Sequence, residues 1–379
     1  MPRPSLRHRP FGTAPDGEAV ELWRLESPSG SYAEILTYGG VLHALGVPGA
    51  DGRARNVVLS LPSLDQYAEK SPYLGAVVGR FANRIAHGRF VLDGTTHRVP
   101  VNDRGHALHG GPGGFDTKVW RADPVVDGDT AALRLTLRSP DGDMGFPGTL
   151  DVTATYSLDA AGTLALEFTA VTDRPTVVSL SNHAYFNLAD DGEDVLGHTL
   201  QVDGTRFLPV DADGIPLGPL RDVTGTPFDL TNPQLLCKRL ESDDDQLREA
   251  GGYDHCWVLA EGEAGPLRRA ARLAAPGRAR VMEVWTTAPG LQVYTANLLD
   301  GSLRDADGRP LRRHGAVCLE TQHLPDAPNR PAFPSAVLLP GTTGRRRTEF
   351  RFPRGPEHWG PGPAQGAPVP PAGPRRSRR

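Results

Sequence analysis

The strongest constraint on this chain is an alternation with period two. In TLDVTATYSLD, Leu150, Val152, Ala154, Tyr156 and Leu158 fall on one side, and Asp151, Thr153, Thr155 and Ser157 on the other. Successive side chains of a strand point to opposite faces, so this is the pattern of a half-buried strand. TLALEFTAV continues it with Leu164, Leu166 and Phe168 inward, and Asp159 to Gly162 between the two runs read as a hairpin connection. Asp93-Gly94 and Asp127-Gly128 are further hairpin signals. Helix signals are few and short. Ser63 with Gln66 makes a capping-box pattern for LDQYAEK, and DDDQLREAGG starts acidic with Gly251 where a C-cap would sit. No regular crossover helices separate the strands, which argues against a parallel α/β sheet. With 44 Gly and 36 Pro available for turns, the pattern predicts an antiparallel β-sandwich or barrel.

The chain has 379 residues, and no interior Pro/Gly/Ser-rich linker divides it. We therefore expect a flexible N-terminus over residues 1–8, one large domain over 9–353, and a disordered Pro/Gly/Arg-rich tail over 354–379. A net charge of −4 argues against a broad nucleic-acid footprint. No apolar run reaches the roughly 18 residues of a membrane span, and the basic N-terminus lacks the apolar stretch of a secretory signal. The three cysteines, Cys237, Cys256 and Cys318, are widely spaced and odd in number, with no zinc spacing, so a reducing cytoplasm is the expected compartment.

Four groups of segments carry candidate chemistry. In VVSLSNHAYFNL, Val178 and Leu180 alternate with Ser179, Ser181, His183 and Tyr185, a polar strand face that meets either water or a polar pocket. In AVCLETQHLPDAPNRPAFPS, Glu320 stands mid-strand on a face shared with Cys318 and Gln322, ahead of a Pro-rich loop that suggests a rigid cover over a cleft. A carboxylate there costs free energy unless it is solvated or hydrogen-bonded, and a histidine near it would complete an acid/base couple. GRFANRI and HALHGG gather Arg80, Asn83, Arg84, His106 and His109, directed donors that suit hydroxyl-rich ligands; for Arg80, pairing with acidic neighbours is the plain alternative, and for His106, an exposed position. GGYDHCWVL and PGLQVYTAN add Asp254, which could equally cap a turn, and Gln292. The histidines lack HExxH or other metal-ligand spacing, and neither a GxSxG elbow nor a phosphate-binding Gly-rich loop occurs, so no metal or nucleotide cofactor is expected.

Taken together, GRFANRI, HALHGG, GGFDTKVW, SPDGDMGFPG, SNHAYFNL, PFDL, GYDHCWVL, PGLQVYTAN and LETQHLPDAPNRPAFPS resemble the aldose 1-epimerase (galactose mutarotase) family, in order from about Phe11 to Phe352. The resemblance implies a large antiparallel supersandwich with an open sugar cleft and a few short helices. It implies His183 as general acid and Glu320 as general base. It also implies Asn83, Arg84, His109, Asp254 and Gln292 as substrate contacts, with Tyr185 placed in the same cleft by strand alternation. Cys256 departs from the Asn that many relatives carry after YDH, which puts fine specificity in question. The implied activity interconverts α and β anomers of hexoses such as glucose and galactose without a cofactor. The partner is then a small-molecule aldose, with no nucleic acid or membrane, and a monomer is expected ahead of a dimer. Rival expectations are a hexose-6-phosphate 1-epimerase, a non-catalytic sugar-binding protein on the same fold, and a glycoside hydrolase using Asp254 and Glu320, which leaves His183 without a role.

Overall fold

The computed structural model describes residues 4–189, 194–260, 265–278 and 280–353. The alternating stretches form the strands they predict. Leu150–Leu158 and Leu164–Thr172 pair antiparallel in continuous register, and every apolar residue of the first run from Leu150 to Leu158 is buried. They belong to a nine-stranded antiparallel sheet. Its order is Arg121–Asp127, Thr130–Ser139, Leu150–Leu158, Leu164–Thr172, Gly344–Arg351, Val281–Thr286, Arg268–Ala274, Thr199–Val202 and Gln234–Leu235. The hairpins at Asp93-Gly94 and Asp127-Gly128 join Arg89–Leu92 to Thr95–Arg98 and Arg121–Asp127 to Thr130–Ser139.

A six-stranded sheet carries the candidate site. Its order is Tyr185–Phe186, Val317–Gln322, Gly290–Tyr294, Asp254–Val258, Arg206–Leu208 and Arg221–Asp222, again antiparallel throughout. One face of its central strands enters the main apolar core. Val317, Leu319, Leu291, Val293 and Trp257 cluster there with Leu133, Val152, Leu166 and Phe168 of the nine-stranded sheet. Burying one such side chain stabilises the fold by about 1.5–3 kcal/mol. Alternation then fixes the other face, with Cys318, Glu320, Gln322 and Gln292, in a defined position. The architecture is the expected large antiparallel β-sandwich, and the α-helices described are the short segments Leu64–Lys70, Leu236–Leu240 and Asp245–Ala250.

Two local expectations change, and one falls outside the described residues. Ser5–Thr13 is a strand paired to Ala19–Glu26, with Leu6 packed on the core, so the stretch expected to be flexible is ordered from Ser5 onward. The predicted tail over 354–379 lies outside the described residues. Ser63 does stand at the N-cap of its helix, but its side chain makes no capping bond, whereas the Asp244 side chain accepts from the Gln246 N–H at the start of Asp245–Ala250. That second helix ends, as expected, on Gly251 in the left-handed conformation at φ 70°.

The segment around His183 is not one strand. It breaks into Thr176–Val177, Ser181–Asn182 and Tyr185–Phe186, each paired with a different partner: Val337–Leu338, Val77–Val78 and Cys318 with Val317. Three partners with three directions force the chain to bend between the pieces. The serines on its polar side meet protein, not water: Ser179 and Ser181 are buried, and Ser179 Oγ accepts the His323 N–H.

Candidate active site

Glu320 and His183 converge. The Glu320 side chain rises from the middle of Val317–Gln322, and His183 arrives on the bend between Ser181–Asn182 and Tyr185–Phe186. His183 Nε2 lies 3.7 Å from Glu320 Oε1. Both are buried, Glu320 to 2 % exposure, and Glu320 Oε2 has no hydrogen-bond partner among the described residues. Burial pushes the Glu320 carboxyl well above the usual carboxylate range; the Asp254 charge adds to this and the Arg84 guanidinium opposes it. Burial also drives His183 down to about 4, against smaller opposing effects from a backbone hydrogen bond and Asp254. The pair therefore favours one shared proton resting on the carboxyl beside a neutral imidazole.

Aromatic rings hold the imidazole in place. Tyr185 stacks on His183 with centroids 5.1 Å apart and Tyr73 at 5.9 Å, while His109 meets it edge-on at 5.2 Å. Tyr185 offers its ring to this packing, and its hydroxyl donates to the Pro72 carbonyl at 3.0 Å. The remaining nitrogen, His183 Nδ1, sits 3.6 Å from Cys318 Sγ, a thiol that burial holds protonated.

Asn83 and His109 are tied together by backbone geometry that side chains rarely adopt. Tyr73, Asn83 and His109 have φ of 63°, 68° and 53°, and such left-handed residues cluster at functional sites. The Asn83 N–H donates to His109 Nδ1 at 3.1 Å. A neutral imidazole that accepts at Nδ1 carries its proton on Nε2, so His109 is a donor through that atom. This bears on metal binding. Donor atoms of His109, His183 and Glu320 all lie within 4.8 Å of one another. A ligating nitrogen needs a free lone pair, and His109 has committed its own to Asn83. The trio suits hydrogen bonding and proton exchange better than metal ligation.

Nearer the surface, Arg84 Nε donates to Asp103 Oδ2 at 2.8 Å, and its Nη1 lies 3.9 Å from Asp254 Oδ2. Gln292 Nε2 donates to Asp254 Oδ1 at 2.7 Å, so Asp254 bridges cation and amide instead of capping a turn. Gly214 lets Arg84 reach this place: it has φ 82°, and a Cβ there would come within 2.6 Å of Nη1. The Pro-rich loop after Glu320 braces the same segment from behind. Buried Asp326 accepts the Ala86 N–H, binds Arg330, and donates its own N–H to the Arg84 carbonyl.

All the residues expected at the site thus lie in one neighbourhood, while two neighbouring candidates do not join them. Arg80 is buried and donates to Ser139 and to the carbonyls of Pro140, Pro147 and Gly148, not to acidic neighbours. His106 is buried, not exposed, and its Nδ1 accepts the His87 N–H. Tyr73, Asp103 and Tyr294, whose ring meets His183 edge-on at 6.3 Å, are site neighbours that the sequence does not single out. Tyr73 sits in SPYLG, a turn without periodicity, and its left-handed backbone left no trace in the sequence. Cys256 is buried against Leu208, Val258 and Leu324, in register with Gln292.

The family model described as aldose 1-epimerase matches residues 21–351. Galactose mutarotase of Rattus norvegicus is 41% identical over 350 residues, covering 92% of this chain and 98% of its own. Aldose 1-epimerase of Escherichia coli (strain K12) is 36% identical over 342 residues, covering 89% and 97%. Among solved structures, galactose 1-epimerase from Lactobacillus acidophilus superposes with a TM-score of 0.81 at 30% identity, covering 92% of this chain and 98% of that one.

Proposed function

The chain belongs to the aldose 1-epimerase family of isomerases, and from that premise we propose that it interconverts the anomers of free hexoses, glucose and galactose among them, with Glu320 as base and His183 as acid. The observation that carries this reading is the 3.7 Å approach of His183 Nε2 to Glu320 Oε1, with both side chains buried. Two groups so spaced can serve two oxygens of one carbon, the hydroxyl O1 and the ring O5.

The chemistry balances without an oxidant. Glu320 takes the O1 proton, the C1–O5 bond breaks to give the aldehyde, and O5 receives a proton from His183. After rotation about C1–C2, O5 attacks the other face of the carbonyl, returns its proton to His183, and O1 is reprotonated by Glu320. The reactive form is the carboxylate with the imidazolium. It holds the same single proton as the resting pair, moved from oxygen to nitrogen, so no exchange with solvent is required. His109 Nε2–H, Asn83, Arg84, Asp254 and Gln292 bind the ring hydroxyls, and Tyr185 and Tyr73 keep the imidazole in plane.

An unphosphorylated substrate fits the charges better than a sugar phosphate. The guanidinium at this site, Arg84, is bonded to Asp103 and faces Asp254, whereas phosphate recognition favours an arginine free to form bidentate contacts. The three free thiols support a reducing cytoplasm, and we propose a monomer there. Polarimetry on freshly dissolved α-D-glucose and α-D-galactose tests the reading. Acceleration is expected for both, and glucose 6-phosphate should turn over far more slowly. Faster turnover of the phosphate would transfer the assignment to the rival substrate.

A further inference from the structure

Gln322 follows Glu320 on the same face of its strand, and nothing so far gives it work. It is 2 % exposed, and neither Oε1 nor Nε2 has a hydrogen-bond partner among the described residues. A buried amide left unpaired at both atoms costs stability, and such a group in a folded protein calls for a partner or a function.

Among the described residues its surroundings offer no partner. Across the ladder it faces Gly290, in a register that runs unbroken from Gly290 opposite Gln322 to Tyr294 opposite Cys318. Gly290 has no side chain to cover the amide, and a Cβ there would lie 2.9 Å from both Cys256 Sγ and Leu324 Cδ2. A thiol and a leucine are poor partners for a carboxamide. Two more buried oxygens without a partner among the described residues, Glu320 Oε2 and Gln292 Oε1, belong to residues paired with each other two rungs along, the next rung on this face. The orphaned polar atoms therefore extend from the reactive carboxylate toward Gln322.

Direction along the strand identifies the hydroxyl. Cys318 touches His183, so the His183 end of the strand is the O5 end of the sugar if His183 protonates O5. Glu320 stands at O1, and Gln322 lies on the far side of Glu320 from His183, about 6.6 Å along the strand. On a pyranose, the neighbour of C1 opposite O5 is C2. We propose that the Gln322 carboxamide binds the 2-hydroxyl of the substrate, a contact that rests on the epimerase reading above. A carboxamide accepts through oxygen and donates through nitrogen, which matches a hydroxyl that does both.

The test is Gln322→Met, which keeps length and volume but removes both polar atoms, assayed by kcat/KM on galactose and on 2-deoxygalactose, with Tm measured for each protein. On galactose the variant should lose about threefold to tenfold, the effect of one neutral hydrogen bond. On 2-deoxygalactose wild type and variant should agree, and Tm should hold or rise because an unpaired buried amide has gone. Equal losses on both sugars, an unchanged rate on galactose, or a lowered Tm would each overturn the assignment. Wild-type protein that fails to speed galactose mutarotation would instead overturn the epimerase reading and this contact with it. If wild type works while Gln322→Met matches it on galactose, the parent reading stands and the contact alone falls.

Discussion

Arg80 and Arg84 come from one short motif, GRFANRI, and both are buried, yet they lead opposite lives. Arg80 spreads its guanidinium over Ser139 and the carbonyls of Pro140, Pro147 and Gly148, stitching the loop before Leu150–Leu158 to the segment that leads into the site. Arg84 is held at Nε by Asp103 and stands near Asp254, beside Glu320 and Gln292, which keep atoms without a partner among the described residues. A buried charge costs several kcal/mol unless its hydrogen bonds are completed. Arg80 completes its bonds within the protein. The pocket around Arg84 leaves its own incomplete, which is how a fold keeps binding capacity in reserve for a ligand. In this motif the satisfied guanidinium builds the protein, and the one beside unsatisfied groups stands where it acts.

The sharpest way to break that contrast is to remove the unsatisfied pair. Glu320→Gln and His183→Asn should each lower kcat by on the order of a hundredfold to ten-thousandfold, as loss of a positioned acid or base does. The Tm of Glu320→Gln should stay level or rise, because its carboxyl is already disfavoured by burial. Full activity in either variant, read by polarimetry, sinks the acid/base assignment. A collapse in Tm would mean that the pair is architecture like Arg80.

Arg80→Met should show the opposite profile. Stripping the guanidinium orphans the carbonyls of Ser139, Pro140, Pro147 and Gly148 and should cost about 3–5 kcal/mol, the usual consequence of breaking a buried charged network. Denaturant midpoints would show it, while kcat/KM of the folded variant at low temperature should change far less than in Glu320→Gln. A stable but inactive Arg80→Met would place this arginine at the chemistry after all.

What the sequence could and could not express follows the same division. Glu320 was legible because its strand is regular: period two, six residues, one apolar side facing the core. The hairpins were legible because Asp-Gly pairs favour the tight turns they make. The kinked course around His183 was not, since three two-residue pieces take their directions from partners at 337–338, 77–78 and 317–318. Nor was the fate of Arg80, whose acceptors lie 59 to 96 residues away, at a strand end, in the loop after it and at Thr176. The Gln322 amide is legible as a member of the right face, but only the fold shows that it lacks a partner among the described residues.

Asp254 sharpens the contrast nearer the surface. Its negative charge lifts the pKa of both Glu320 and His183. Asp254→Asn keeps the shape and removes that charge, so both groups should titrate at lower pH and the limbs of the kcat/KM profile should move to lower pH. KM should rise about threefold to tenfold, as expected for one weakened polar contact. An unmoved profile would mean that Asp254 is electrostatically remote from the pair.

The smallest effect separates unsatisfied oxygens that serve chemistry from one that does not. Asp116, in the GGFD stretch, has Oδ1 without a partner among the described residues, and burial raises its pKa from 3.8 to about 7. The sign follows from linkage: the folded state prefers the neutral acid, so this contribution to stability is complete below the unfolded value of 3.8 and is lost as pH climbs through about 7. Across that window the Tm of the wild type should slope downward with pH, and Asp116→Asn, neutral at every pH, should flatten the slope. Parallel Tm curves for the two proteins would show that Asp116 is ionised throughout, and that an unpartnered oxygen here is satisfied by solvent instead of being held neutral by the fold.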